Sequence, residues 1–169
     1  NPLADPGIIG VTTGAGLGAA IAIVLLPVSM VAFATPIAAF LGGLATTLLV
    51  YRLAQSDNGT SVLILLLAGI AVAAFAGAAI GFLTFLANDQ KLRDLTLWCM
   101  GTLNGATFYS VMLVAITTLV LFVAYWQDAR HLNALLIGEP EARHLGINVE
   151  RLKLRLIVLT AIGVGVAVA

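Results

Sequence analysis

Apolar residues in this chain come in long unbroken blocks, without the alternation of a strand or the narrow stripe of a surface helix. The first block runs from about Gly10 to Leu26 and continues past Pro27 toward Val31. The second covers Pro36 to Tyr51, the third Ser61 to Leu86 and the fourth Tyr109 to Trp126, and a fifth opens near Leu154 and continues to Ala169. Blocks of about 18 or more apolar residues read as transmembrane helices, because lipid offers the backbone no partners and each N–H must be paired within its own segment. The stretch from Pro27 to Pro36 is itself apolar, and the proline spacing fits two spans joined by a short apolar turn better than one long kinked segment. The pattern predicts an all-α fold, a polytopic transmembrane helical bundle, with residues 1–169 forming one segment of about five spans.

Composition strengthens this picture. The chain is 61% hydrophobic and 9% charged, against about 45–50% and 25% in soluble proteins. Its formal net charge is zero, which leaves no basic patch for nucleic acid. Cys99 is the single cysteine, so no internal disulfide or thiol metal cluster can form, and it reads as a small apolar filler. The chain opens on Asn-Pro and closes inside an apolar run, and is expected to be an internal stretch of a longer membrane protein.

Loop charge orients the spans. With 51–59 and 126–155 on the cytoplasmic side, that side carries Arg52, Arg130, Arg143, Arg151, Lys153 and Arg155, while Lys91 and Arg93 on the other side are offset by Asp89 and Asp94. Small residues recur at helical spacing: Gly10, Gly14 and Gly18 in the first block, and Gly69, Ala73, Gly77 and Gly81 in the third. Such faces let helices approach closely in lipid. They fit either the wall of a pore or ordinary helix packing.

The charged segment Glu139 to Leu154 is the chain's most informative feature, holding six of its sixteen acidic and basic residues between two apolar blocks. Pro140 suits a first helical turn, with Glu139 and Glu141 favourably near the positive end of the helix. Gly146 offers a left-handed stop, and Asn148 can cap a second short helix carrying Glu150, Arg151 and Lys153. Two readings stay open: a rigid cytoplasmic knob that meets a partner, or an amphipathic loop lying on lipid headgroups. At the other end of the chain, Asp5 can cap a helix with Pro6 at its first position, making a stiff loop before the glycine-lined span.

Enzyme chemistry is absent from the pattern. There is no G-x-x-x-x-G-K-[ST] phosphate loop and no G-x-S-x-G elbow. His131 and His144 stand thirteen residues apart in a predicted loop, without the i,i+4 spacing of a metal pair. No carboxylate falls within a predicted span, which argues against a proton-coupled carrier.

Three strings, NPLADPGIIGVTTGAGLGAA, LRDLTLWCMGTLNGATF and LNALLIGEPEARHLGINVERLKL, resemble in order and spacing the permeases of type II ABC importers, the FecCD family, which import iron chelates and cobalamin. The resemblance runs the length of the chain and implies the middle of a permease of about ten spans in the bacterial inner membrane. It further implies a homodimer, served by two cytoplasmic ATPases that bind ATP and Mg, and by a periplasmic binding protein. The permease itself would have no catalytic site and no cofactor.

Carried over residue by residue, Glu139, Pro140, Glu141, Arg143, His144, Gly146, Glu150 and Arg151 fall in the helices that couple to the ATPase. Asn1 and Leu3 match one cytoplasmic gate, Thr60 and Ser61 the other, and Arg93 lies where the binding protein is met. Asp57-Asn58-Gly59 departs from the Thr/Ser-rich approach usual at the second gate, and Thr60 and Ser61 serve equally well as a plain helix cap. The string KLRDLTLW, read as an outer turn, resembles haem permeases most, with ferric-siderophore permeases next and cobalamin third. The rival from another class is a structural or channel-like membrane subunit without ATPase coupling.

Overall fold

The computed structural model describes residue 7 and residues 10–56, 59–101 and 106–168. Asn1, Leu3, Asp5, Pro6, Asp57 and Asn58 therefore lie outside the described residues. Helices dominate: α1 (Val11–Leu25), α2 (Val28–Ala54), α3 (Val62–Leu86), α4 (Asp89–Met100), α5 (Phe108–Leu135), α6 (Glu139–His144) and α7 (Val149–Val168). The two-residue strands β1 (Gln55–Ser56) and β2 (Gly59–Thr60) pair antiparallel between α2 and α3. The five apolar blocks become α1, α2, α3, α5 and α7. Of these, α2, α3 and α5 are long and apolar enough to cross a membrane by themselves.

α1 is the inner helix. Its 15 residues rise about 22 Å at 1.5 Å each, short of a hydrocarbon core of about 30 Å, and nine of them are buried. α2, α3, α4 and α7 all pack against it. Glycine makes the α1–α2 contact this close. A Cβ on Gly14 would lie 2.5 Å from Thr46 Cβ and 2.8 Å from the Gly42 carbonyl oxygen, and one on Gly18 would lie 2.7 Å from the Ala38 carbonyl carbon. The first-block glycines therefore bring two backbones together. The third-block set behaves differently. Gly69 is buried, but Gly77 and Gly81 are exposed and have nothing within 4 Å of an added Cβ.

The first two spans meet at a turn much shorter than the Pro27–Pro36 stretch suggests. α1 stops at Leu26, whose extended backbone (φ −87°, ψ 157°) is what a following proline imposes. α2 then starts at once and contains Pro36. An interior proline removes one ladder hydrogen bond, and membrane helices tolerate the loss where neighbouring groups re-pair the backbone. The carbonyl that Pro36 frees is that of Ala32, and one residue back the Thr35 hydroxyl adds a bond to the Val31 carbonyl at 2.7 Å. Thr47 does the same to Gly43 at 2.8 Å.

The segment read as an outer turn is a helix. α4 is capped by the Asn88 side chain, which accepts from the Lys91 N–H at 2.9 Å, and stopped by Gly101 at φ +70°. Leu95 and Trp98, a turn apart, pack on Ile23, Val24 and Leu83. Lys91 Nζ donates to the Val24 carbonyl and, at 3.4 Å, to that of Leu26. Those carbonyls are among the four left unpaired at any helix C-terminus. α4 thus sits at the end of the bundle where α1 turns into α2. The β1–β2 hairpin and α6 follow from the element order at the opposite end.

α5 also exceeds its apolar block. It runs two turns beyond Trp126 to Leu135, so His131 is helical rather than in a loop. Asp128 stands two residues past the predicted end of the span and is 3% exposed.

Candidate functional site

The α6 region is built by three local devices. Leu136, Ile137 and Gly138 close the last turn of α5, and Gly138 at φ +137° redirects the chain. Pro140 then occupies the first turn of α6, where its missing N–H leaves nothing unpaired. Gly146, at φ +81°, ends the helix as the sequence predicts. Its N–H donates to the Arg143 carbonyl at 3.0 Å, and the Ile147 N–H to that of Ala142 at 3.1 Å. This pair of bonds is the Schellman closure of a helix end. Asn148 caps the next helix, accepting from the Arg151 N–H at 3.0 Å. The second helix, however, is not short: it is the beginning of α7, a 20-residue helix. α6 is therefore joined through a short turn at the left-handed Gly146 to a long helix.

Charges weld the joint. Lys153 Nζ lies 2.6 Å from Glu139 Oε1 and 4.0 Å from Glu150 Oε1, while Arg143 Nη2 donates to Glu150 Oε1 at 3.2 Å. Lys153 is largely covered, its side chain 13% exposed. Glu139, Arg143 and Glu150 thus hold α6 against α7. Glu141 lies over Gly138, where an added Cβ would meet its carboxylate. His144, Leu145 and Arg151 are exposed and complete the outward surface. Solvent-exposed pairs contribute at most about 1 kcal/mol each, so the network fixes orientation more than it adds stability.

The remaining sequence-predicted residues lie elsewhere. Ser61 is the N-cap of α3, its hydroxyl accepting from the Ile64 N–H at 3.5 Å, and Thr60 pairs with Gln55 in the hairpin. Arg93 is exposed on α4, at the opposite end from α6. Sequence reasoning missed Lys91, whose partners are 65 and 67 residues away. It also missed Asp128, which faces Arg155 Nε at 3.1 Å and His131 Nδ1 at 3.9 Å. An acid just beyond an apolar block, with an arginine just inside the next one, was the available signal.

Comparison with known proteins fits this arrangement. The chain is 41% identical over its whole length to the hemin transport system permease protein HmuU of Yersinia pestis, covering 51% of that protein. It is 37% identical over its whole length to the cobalamin import system permease protein BtuC of Halobacterium salinarum, covering 45% of it. A vitamin B12 import permease of Vibrio vulnificus is 34% identical, with 50% covered. Among solved structures, a metal-chelate type ABC transporter in an inward-facing conformation superposes with a TM-score of 0.87 at 25% identity, over 98% of this chain and 52% of that one. The chain thus spans about half the length of the relatives it matches. The FecCD transport family matches residues 1–169, the full length of the sequence, and the chain belongs to that family.

Proposed function

We propose that this chain is part of the permease subunit of an ATP-driven importer of an iron complex, with haem the favoured cargo, in the bacterial inner membrane. The observation that carries the reading is the α6–Gly146–α7 joint in a chain 41% identical to a hemin permease. A compact charged helix fixed by ion pairs to a span is suited to receiving a push from a soluble partner. ATP-driven closure of two cytoplasmic ATPases would displace α6, and the Glu139–Lys153 and Arg143–Glu150 pairs would pass the displacement to α7. The consequence is a population shift between inward- and outward-open states.

In this reading α3 lines the pathway between two permease copies, which accounts for Gly77 and Gly81 standing open. Asn1 and Leu3 form one gate, and Thr60 and Ser61 the other. Arg93, exposed on α4 at the outer end, meets the periplasmic binding protein. α3 carries no charged residue from Val62 to Leu86, so its wall suits a bulky chelate held by shape.

Cobalamin is the second reading, favoured by the 34–37% identity to cobalamin and vitamin B12 permeases. Uptake by proteoliposomes containing the full-length permease, its ATPase and its binding protein separates the readings. Haem should accumulate only with ATP. Cobalamin accumulation in place of haem would reassign the cargo, and ATP-independent flux would favour the channel-like subunit.

A further inference from the structure

α5 is joined to the rest of the described bundle in an unusual way. Of its 28 residues the one that is buried is an acid, Asp128. Its companions on that face, one and two turns back, are Tyr125 and Leu121, and the stripe meets α7. Leu121 lies against Gly163, where an added Cβ would stand 2.8 Å from Leu121 Cδ1. Tyr125 Oη and Thr160 Oγ1 share a hydrogen bond of 2.9 Å. At the α6 end, Arg155 reaches across twice, with Nε 3.1 Å from Asp128 Oδ2 and Nη2 donating to Gln127 Oε1 at 3.4 Å. The Nε–Oδ2 approach is off the line of a hydrogen bond, so charge holds it.

Asp128 is buried and Arg155 half exposed, and a pair of this kind is weak evidence for stability, since desolvation of the buried partner and solvent screening of the other offset its attraction. Its better-attested use is to fix register between elements. Removing Arg155, by contrast, leaves the buried Asp128 carboxylate with the more distant His131 at 3.9 Å.

We propose that Asp128 and Arg155 form a positioning pair that locks α5 to α7 just inside the α6 joint, so that both spans move together when α6 is displaced. The inference rests on the importer reading for its consequence, though the lock itself does not. Because α6 hangs between the C-terminus of α5 and the N-terminus of α7, a push on it could splay the two helices. The pair closes that hinge and turns the push into a joint motion.

The test uses the full-length permease with its ATPase and binding protein. Asp128→Asn and Arg155→Gln should each lower substrate imported per ATP hydrolysed by about tenfold, within the range of coupling energies for contacting residues, while ATPase co-purification and basal hydrolysis persist. The exchange Asp128→Arg with Arg155→Asp should recover most of the ratio, which a merely destabilised helix would not. Spin labels at Trp126 and Leu154, both exposed, read the α5–α7 spacing independently of transport. Each single variant should broaden the distance distribution, and the exchange should narrow it again. If Asp128→Asn fails to accumulate, Arg155→Gln, at a half-exposed side chain, carries the same expectation. An unchanged distance distribution in the single variants would overturn the lock, whatever uptake does. An unchanged import-to-hydrolysis ratio would overturn its role in coupling.

Discussion

Gly18→Ala is expected to destabilise the bundle, even though the same change in an unobstructed helix is favourable by up to about 1 kcal/mol. The added Cβ would overlap the Ala38 carbonyl, with its carbon only 2.7 Å away. That group is main chain, held by the α2 ladder, and cannot step aside as a flexible side chain would. α1 and α2 must separate, and Gly42, whose own Cβ position is 3.1 Å from Gly18 Cα, loses its fit as well. Overpacking a tight site costs about 1–3 kcal/mol, occasionally more. An obstruction made of backbone belongs at the upper end, so the net loss should exceed the propensity gain. Gly77→Ala is the matched control, since nothing lies within 4 Å of that position. Thermal denaturation of the full-length protein in mild detergent should show a lowered midpoint for Gly18→Ala and an unchanged or raised one for Gly77→Ala. Equal midpoints for the two variants would mean that the α1–α2 approach is looser than described.

Gly146→Val should act on a different level, leaving the bundle folded and breaking its connection to the water. An added Cβ meets no neighbour at Gly146, so the whole penalty comes from φ +81°. A Cβ in the left-handed region costs about 1–2 kcal/mol, a factor of roughly 5–30 in a two-state population. That is enough to abandon the closure in which Gly146 bonds Arg143 and Ile147 bonds Ala142, and too little to unfold several packed spans. Insertion and dimerisation should persist while ATPase co-purification and uptake fall together by about that factor. Gly146→Asn should retain most of both, because asparagine tolerates the left-handed conformation. A valine variant with normal uptake would remove the joint from the mechanism. Sensitivity to anionic lipid in its place would favour a surface-lying loop.

How much of this was legible in the sequence depended on whether the cause was local. The bounds of α6 follow from Pro140 and Gly146 and the start of α7 from Asn148, each acting within a turn of itself, and all three were readable. The small-residue pattern was visible too, but not its use. Gly14 and Gly18 pack backbone to backbone while Gly77 and Gly81 at the same spacing stand open, and only the arrangement of whole helices decides between them. Apolar blocks lack the polar face that would mark helical phase. Consequently the sequence left the α1–α2 boundary open across the stretch from Pro27 to Pro36, and the structure puts it at the very start of that stretch, at Leu26 and Pro27.

α4 was hidden for the opposite reason. Its polar residues disguised an amphipathic helix as a loop, although Asn88, the Leu95–Trp98 spacing and Gly101 gave its cap, its buried face and its stop. Lys91 on the end of α1, and Arg155 on Asp128, join residues far apart in sequence. No local rule reaches them.

Within the charged segment, the ion pairs that tie α6 to α7 were not legible in the sequence. Glu139, Arg143 and Glu150 pair with one another or with Lys153 across the joint, and the outward surface presents Glu141, His144, Leu145 and Arg151 beside the half-exposed Arg143.

The central claim is that this surface docks on a cytoplasmic ATPase, and a cysteine at His144 tests it most directly. Cys99 is exposed and would be replaced first. In intact cells the His144→Cys permease should be shielded from a membrane-impermeant thiol reagent. In inside-out vesicles it should be labelled, and the co-expressed ATPase should protect it and form a disulfide with it when a cysteine is placed on the ATPase surface that meets α6. Labelling from outside the cell, or labelling in inverted vesicles that the ATPase leaves unchanged, would contradict the account.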